Sequence, residues 1–342
     1  MAEQSTLETP REEGFGRRIE RAALSLGRYS KLETLAAYTM LAPNLIAFLG
    51  FVFLPIVYAL WLSLHDAYLF ADTYTWIGLE HYRAIVWEPL AEAAGVLVST
   101  GPMAAFEILF DPLNNPFFAA LKNNVVFGLL AVPLNVLGGL ALALLVNRKL
   151  RGIKYLRTVY FLPVVTGMVV VSLVFTFIYN PSYGLLNYVL GALGLPGDTV
   201  WLEEYPMLAI VAMTVWKGVG YNMLLYLAAL QGLPQSLYKA ARVDGAGRLA
   251  RFRNVTWPLL MPTTLFVVVM STISSFKVFT QVYVMTDGGP GFQTSVAVFY
   301  IYETAFSDFQ IGEASAMSFV LFAVIFVITI INMRYLNTEV SY

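Results

Sequence analysis

Cysteine is absent from the 342 residues, so no disulfide, iron–sulfur cluster or thiol nucleophile can form. Histidine occurs only at His65 and His81, which excludes a histidine-rich metal site or a multi-histidine relay. Charge is also scarce. Asp, Glu, Lys and Arg make up 13% of the chain, about half the share of a soluble domain. The net charge of −1 offers no bulk attraction for nucleic acid. No G-x-x-x-x-G-K-[ST] occurs, so the chain holds no P-loop for ATP. H-E-x-x-H and G-x-S-x-G are missing as well. No catalytic or metal site is expected. What remains is 58% hydrophobic residues, more than a core can absorb, so most of them should face lipid.

A hydrocarbon layer about 30 Å thick needs about 20 helical residues. Six stretches meet that length: Thr39–Leu64, Phe118–Val146, Val159–Tyr179, Met207–Leu230, Leu259–Met285 and Ala314–Ile331. Each reads as a helix, because a span in lipid must satisfy its own backbone. The fold class expected is therefore an all-α integral membrane protein with six transmembrane helices. Pro43, Pro55 and Pro133 predict kinks in the first two spans.

Basic residues fix the orientation. Six precede the first span between Arg11 and Lys31, five lie between the second and third, and five between the fourth and fifth. The opposite loops carry Arg83, with Lys122 at a span edge. The positive-inside rule then places both termini, and the loop between spans four and five, in the cytoplasm. Residues 1–35 read as a basic cytoplasmic tail, in which 12–35 can form an amphipathic surface helix or stay frayed. Residues 36–336 read as the permease domain and 337–342 as a short cytoplasmic tail. An external insertion covers about 85–117. Its apolar stretch Gly95–Phe110 is short and holds Gly101-Pro102, so it reads as an external or re-entrant piece.

No carboxylate falls inside the six spans, which argues against proton coupling. Two ammonium groups do fall there, at Lys217 and Lys277. The fourth span places Trp216, Gly218, Tyr221 and Asn222 beside Lys217. The fifth places Ser271, Ser274 and Ser275 beside Lys277. An aromatic ring with hydroxyls, amides and ammonium groups suits a sugar. The same residues also suit helix–helix contact.

The loop after the fourth span, 231–258, has the form of two short helices around an Asp244-Gly245 turn. Ala240, Ala241, Asp244, Gly245, Ala246, Phe252, Val255 and Pro258 stand in a spacing that resembles the cytoplasmic EAA loop of ABC-importer permease subunits. Lys239 stands where that family usually has Glu. Tyr160-Phe161-Leu162-Pro163, Asn180-Pro181-Ser182-Tyr183-Gly184, Tyr283-Val284-Met285-Thr286 and Gly288-Gly289-Pro290 resemble the carbohydrate branch of the same family, the maltose and glycerol-3-phosphate type. Gly78-Leu79-Glu80-His81-Tyr82 resembles its G-L-x-N-Y segment, with His81 for Asn.

The resemblance implies a binding-protein-dependent permease in the inner membrane of a prokaryote. It implies three kinds of partner beyond the bilayer: two ABC ATPase subunits or domains, a second homologous permease and an extracytoplasmic solute-binding protein. ATP and magnesium would be held by the ATPase, and no cofactor by this chain. Lys239, Ala240, Ala241, Asp244, Gly245, Ala246, Arg248 and Phe252 would form the ATPase-coupling loop. Trp216, Lys217, Gly218, Tyr221, Ser271, Ser274 and Ser275 would line the solute path, and Asn222 and Lys277 join it as polar residues of the same spans. The alternatives are a permease for a non-sugar solute, a stand-alone secondary carrier, and a membrane enzyme using Glu107 and Asp111.

Overall fold

A computed structural model describes residues 31–71, 73–148 and 152–336. Five of its helices are long and apolar enough to cross a bilayer, and a sixth span is made if one bent helix pair counts as one. The 12–35 amphipathic helix falls outside the described residues up to residue 30. The chain clusters into two units, residues 1–59 and residues 60–342.

The first span is built from α1 (Lys31–Phe48) and α2 (Leu54–Leu62), joined by a π-helical stretch Leu49–Phe53. No charged residue occurs from Leu35 to Leu62. The π-helical stretch lies just before Pro55, and the same pattern recurs at Arg83–Trp87 before Pro89 and at Phe252–Thr256 before Pro258. In each, the residue preceding proline donates its N–H five residues back: Leu54 to Leu49, Glu88 to Arg83 and Trp257 to Phe252. A proline cannot donate, and its ring crowds the carbonyl four residues earlier. Widening the preceding turn relieves that crowding without ending the helix.

Among the described residues of 60–342 the regular structure is helical apart from two antiparallel two-residue strands, β1 (His65–Asp66) and β2 (Thr75–Trp76). After the one-turn α3 (Glu80–Tyr82), α4 (Glu88–Ser99) and α5 (Pro102–Leu109) fold as two short helices against one another. Gly101, at φ +115, supplies the turn between them. The insertion is thus a helical hairpin, and neither arm is long enough to span.

The long helices are α6 (Pro116–Val146), α11 (Pro206–Gly232), α14 (Trp257–Phe276) and α17 (Ile311–Leu336). α6 and α11 form the most extensive helix pair. Glycines let their backbones approach. A Cβ at Gly139 would lie 2.7 Å from Asn222 Cβ, and one at Gly138 would lie 2.9 Å from Val219. Around this contact Leu140, Ala143, Met223, Tyr226 and Leu260 form one buried cluster. Buried amides fasten the ends. Asn124, wholly buried, donates to the Ser275 carbonyl at 3.0 Å and accepts from the Ala297 N–H at 2.7 Å. It thereby ties the end of α14 to the start of α16 (Ala297–Phe306).

Three expected continuities are corrected. The stretch expected as an unbroken third span is two helices, α7 (Ile153–Val165) and α8 (Met168–Ile178), bent by 101° where Thr166 and Gly167 are extended. Pro163 sits at the end of α7, and the freed carbonyls there find a side-chain donor. The fifth span does not run to Met285. It stops at Phe276, Lys277 caps it, and a separate six-residue helix, α15 (Thr280–Met285), follows. The second short helix of the loop does not stand alone either. Arg248–Arg251 runs through the π-helical stretch into α14, giving one helical run, Arg248–Phe276.

Candidate functional site

Two places gather the residues singled out by sequence. The first is the loop after α11. Leu233 is buried and Pro234 is extended, so α11 stops and the helix Gln235–Val243 starts in a new direction. That helix ends with Asp244 N–H bonded to the Ala240 carbonyl at 3.0 Å and Ala246 N–H to that of Ala241 at 2.9 Å. Gly245 makes the turn at φ +75, where a side chain is strained. The hydroxyls of Tyr238 and Thr256 lie 2.9 Å apart, tying the helix to the base of α14. Lys239, Ala240, Asp244, Gly245 and Arg248 are exposed, while Ala241, Ala246 and Phe252 are half-buried. Val243 and Leu249, 88% and 79% exposed, add apolar area on the same turn. The arrangement presents a small apolar knob ringed by cations.

The second place is a cavity of about 430 Å³ between α6, α7, α11 and α14. Lys217, Gly218, Tyr221 and Asn222 line it from α11, Ser271, Ser274 and Ser275 from α14, and Lys277 from the cap of α14. Trp216 does not line it. Its indole packs on Phe175 with ring centres 5.2 Å apart. Periodicity explains the difference, since consecutive helical residues point about 100° apart.

The polar groups of the cavity are not equivalent. The Lys217 ammonium donates to the carbonyls of Pro163 (3.2 Å), Val164 (3.2 Å) and Thr166 (2.8 Å). Its donors are therefore spent on the broken end of α7 and not on a solute. Ser275 is buried and its hydroxyl donates to the Thr272 carbonyl at 2.7 Å. Tyr221, Ser274 and Lys277 are exposed and Ser271 is half-buried. No carboxylate lines the cavity.

Sequence reading missed Asn135 and Thr214 as lining residues. Asn135 is 8% exposed, donates to the Ala131 carbonyl at 3.0 Å, and leaves its Oδ1 without a partner. A Cβ on Gly218 would lie 2.9 Å from that oxygen. An amide in the middle of an apolar span was the available signal. Gln281 Nε2 lies 3.4 Å from the Thr214 hydroxyl. Among the described residues no group of three acidic or histidine side chains could hold a metal ion.

With this geometry in place, comparison with known proteins decides the family. The family described as "Binding-protein-dependent transport system inner membrane component" matches residues 135–342, more than half of the chain. This chain belongs to that family. It is 36% identical to the probable ABC transporter permease protein YurN of Bacillus subtilis, over 88% of this chain and 96% of the relative. It is 31% identical to the trehalose/maltose transport system permease protein MalF of Thermococcus litoralis, over 88% of this chain and 94% of that one. It is also 28% identical to the sn-glycerol-3-phosphate transport system permease protein UgpA of Agrobacterium fabrum. A solved bacterial ABC transporter involved in import of the acidic polysaccharide alginate shares the fold. Its TM-score is 0.69 at 22% identity, covering 95% of this chain and 99% of that one. This permease is accordingly a multi-pass membrane transport subunit of an ABC importer and not an enzyme.

Proposed function

We propose that this permease is one of two homologous membrane subunits that enclose a path for a sugar or related polyol. An extracytoplasmic binding protein delivers the solute, and two ATPase subunits or domains dock on the cytoplasmic side. ATP and magnesium are bound by the ATPase. Both termini and the 231–258 loop are cytoplasmic, and the 85–117 hairpin is external. Two relatives support the solute class, one named for trehalose and maltose and one for glycerol 3-phosphate. The observation that carries the reading is the shared cavity, where Tyr221, Ser271, Ser274 and Lys277 offer hydroxyls and an ammonium group side by side. In the cycle, ATP binding closes the ATPases, the turn at Gly245 moves with them, and the spans open outward. Hydrolysis resets them. The loop must bind its partner differently in the two states for ATP to bias the spans. With Lys239 where the EAA-type loop usually has Glu, the docking contact there pairs with a partner group of opposite sign to the usual one.

Affinity purification from the native membrane tests this. Recovery of a P-loop ATPase, a second permease and a binding protein supports the importer. Recovery of the chain alone, active without ATP, establishes a secondary carrier instead. Lys277 adds a preference. It is the exposed cation of a cavity without carboxylates, which favours a solute with an acidic group. Lys277→Gln is expected to lower uptake of an acidic sugar or phosphorylated polyol about tenfold, the loss of one hydrogen bond to a charged group. Neutral sugar uptake should hold. Equal losses for both would remove the preference.

A further inference from the structure

The broken third span raises a physical question that the solute path does not answer. Where α7 ends, the Pro163 carbonyl keeps one backbone bond, from the Thr166 N–H at 3.3 Å, while those of Val164 and Thr166 stand at the break, where the backbone at Thr166 and Gly167 is extended. Such groups are not tolerated in lipid without donors. One side chain supplies them. The Lys217 ammonium has three N–H groups and three carbonyls within 3.2 Å, so donor and acceptor counts match. The negative end of the α7 dipole adds to the attraction. Three residues further along α11, Gly220 meets α7 so closely that a Cβ would lie 2.0 Å from the Tyr160 carbonyl oxygen. Lys217 and Gly220 therefore fasten α11 to α7 at two heights.

The helix that carries Lys217 is also the helix that ends at the coupling loop. From Lys217 to Gly232, α11 is unbroken, about 22 Å at 1.5 Å per residue. A displacement of the loop is passed along this rod to the bend, where Val164 and Met168 stand on either side of the break and line the cavity. We propose that Lys217 is a positioning residue that holds the third span bent and makes it move with the fourth, so that the loop reshapes the cavity wall. The role in coupling rests on the importer reading. The role in holding the bend does not.

The absence of cysteine makes the test direct. Nitroxide labels are placed at Leu162→Cys in α7 and Phe177→Cys in α8, both exposed, in the full complex with its ATPase. Their separation is read by pulsed electron resonance before and after trapping with ATP and vanadate. With Lys217 present, a single short distance is expected, with one shift on trapping. Lys217→Met should broaden it toward the separation of an unbroken helix, about 22 Å between backbones, and abolish the shift. Lys217→Arg, which keeps the donors, should restore both. If Lys217→Met does not assemble, Lys217→Gln, with two donors, should broaden the distance partially. A narrow, unchanged distance in Lys217→Met or Lys217→Gln overturns the proposal. A missing vanadate shift in the parent complex would count against the importer reading alone, since the untrapped distances still report the bend.

Discussion

Gly245→Asp is expected to abolish ATP-driven uptake while leaving the folded chain in the membrane. Both halves of that result follow from the turn. Gly245 has φ +75, and a Cβ there would meet nothing within 4 Å. Aspartate is among the residues that best tolerate this backbone region. The strain should stay near 1 kcal/mol, too little to unfold the permease. The same open space is what a docking partner would fill. A side chain forced into a close protein contact costs about 1–3 kcal/mol as overpacking, and desolvating its carboxylate adds to that, which lowers docking by about two orders of magnitude. Uptake and ATPase co-purification should fall together, with the amount of permease in the membrane unchanged. Uptake at parental rate would refute the role of the turn. Loss of the chain itself would show that Gly245 serves folding instead.

That expectation was available from sequence because turn chemistry is local. Asp244-Gly245 after an apolar-faced helix announces a positive φ whatever surrounds it. The long spans were legible for a similar reason. Hydropathy over about 20 residues is decided by lipid and not by neighbours. The breaks were harder to read. Pro163 and Gly167 in Val159–Tyr179, and Ser274, Ser275 and Lys277 in Leu259–Met285, are local signals that hydropathy over a full span outweighs. The groups that hold each break come from outside. Lys217 on another helix accepts the burden of the carbonyls at Pro163, Val164 and Thr166. Asn124 takes the Ser275 carbonyl where α14 stops. Partners 51–54 and 151 residues away leave no local trace.

The cavity shows the same division. Polar side chains in apolar spans marked most of its polar lining, since lipid does not admit them freely. Their roles needed coordinates. Lys217 and Lys277 look alike in sequence, but one is bound by three carbonyls and the other is exposed at a helix end. Trp216 looks like a sugar platform, but faces Phe175. Asn135 was overlooked because it stands eleven residues beyond the Asn123-Asn124 pair, in an apolar stretch with no partner pattern of its own. Its unpaired Oδ1 beside Gly218 is visible only once α6 and α11 are brought together.

Gly220→Val should produce the largest loss of folded protein. The Cβ alone would lie 2.0 Å from the Tyr160 carbonyl oxygen and 3.0 Å from its carbon, closer than such atoms approach. The obstacle is backbone within α7, so no rotamer change relieves it. α7 must move off α11, and the Lys217 bonds to its end stretch with it. Overpacking alone costs about 1–3 kcal/mol, and unpairing buried carbonyls adds about 1–3 kcal/mol. A drop of several degrees in the melting temperature in detergent is expected, with low yield. Gly95→Ala is the control. Gly95 lies within α4, and its Cβ would meet nothing within 4 Å. Removing backbone freedom from a helix interior there should stabilise by about 0.5–1 kcal/mol. Equal melting temperatures for the two variants would mean that α7 and α11 are not in contact at Gly220. Loss confined to Gly220→Val would place the contact between the third and fourth spans at that glycine, and would make it the steric partner of the Lys217 clasp.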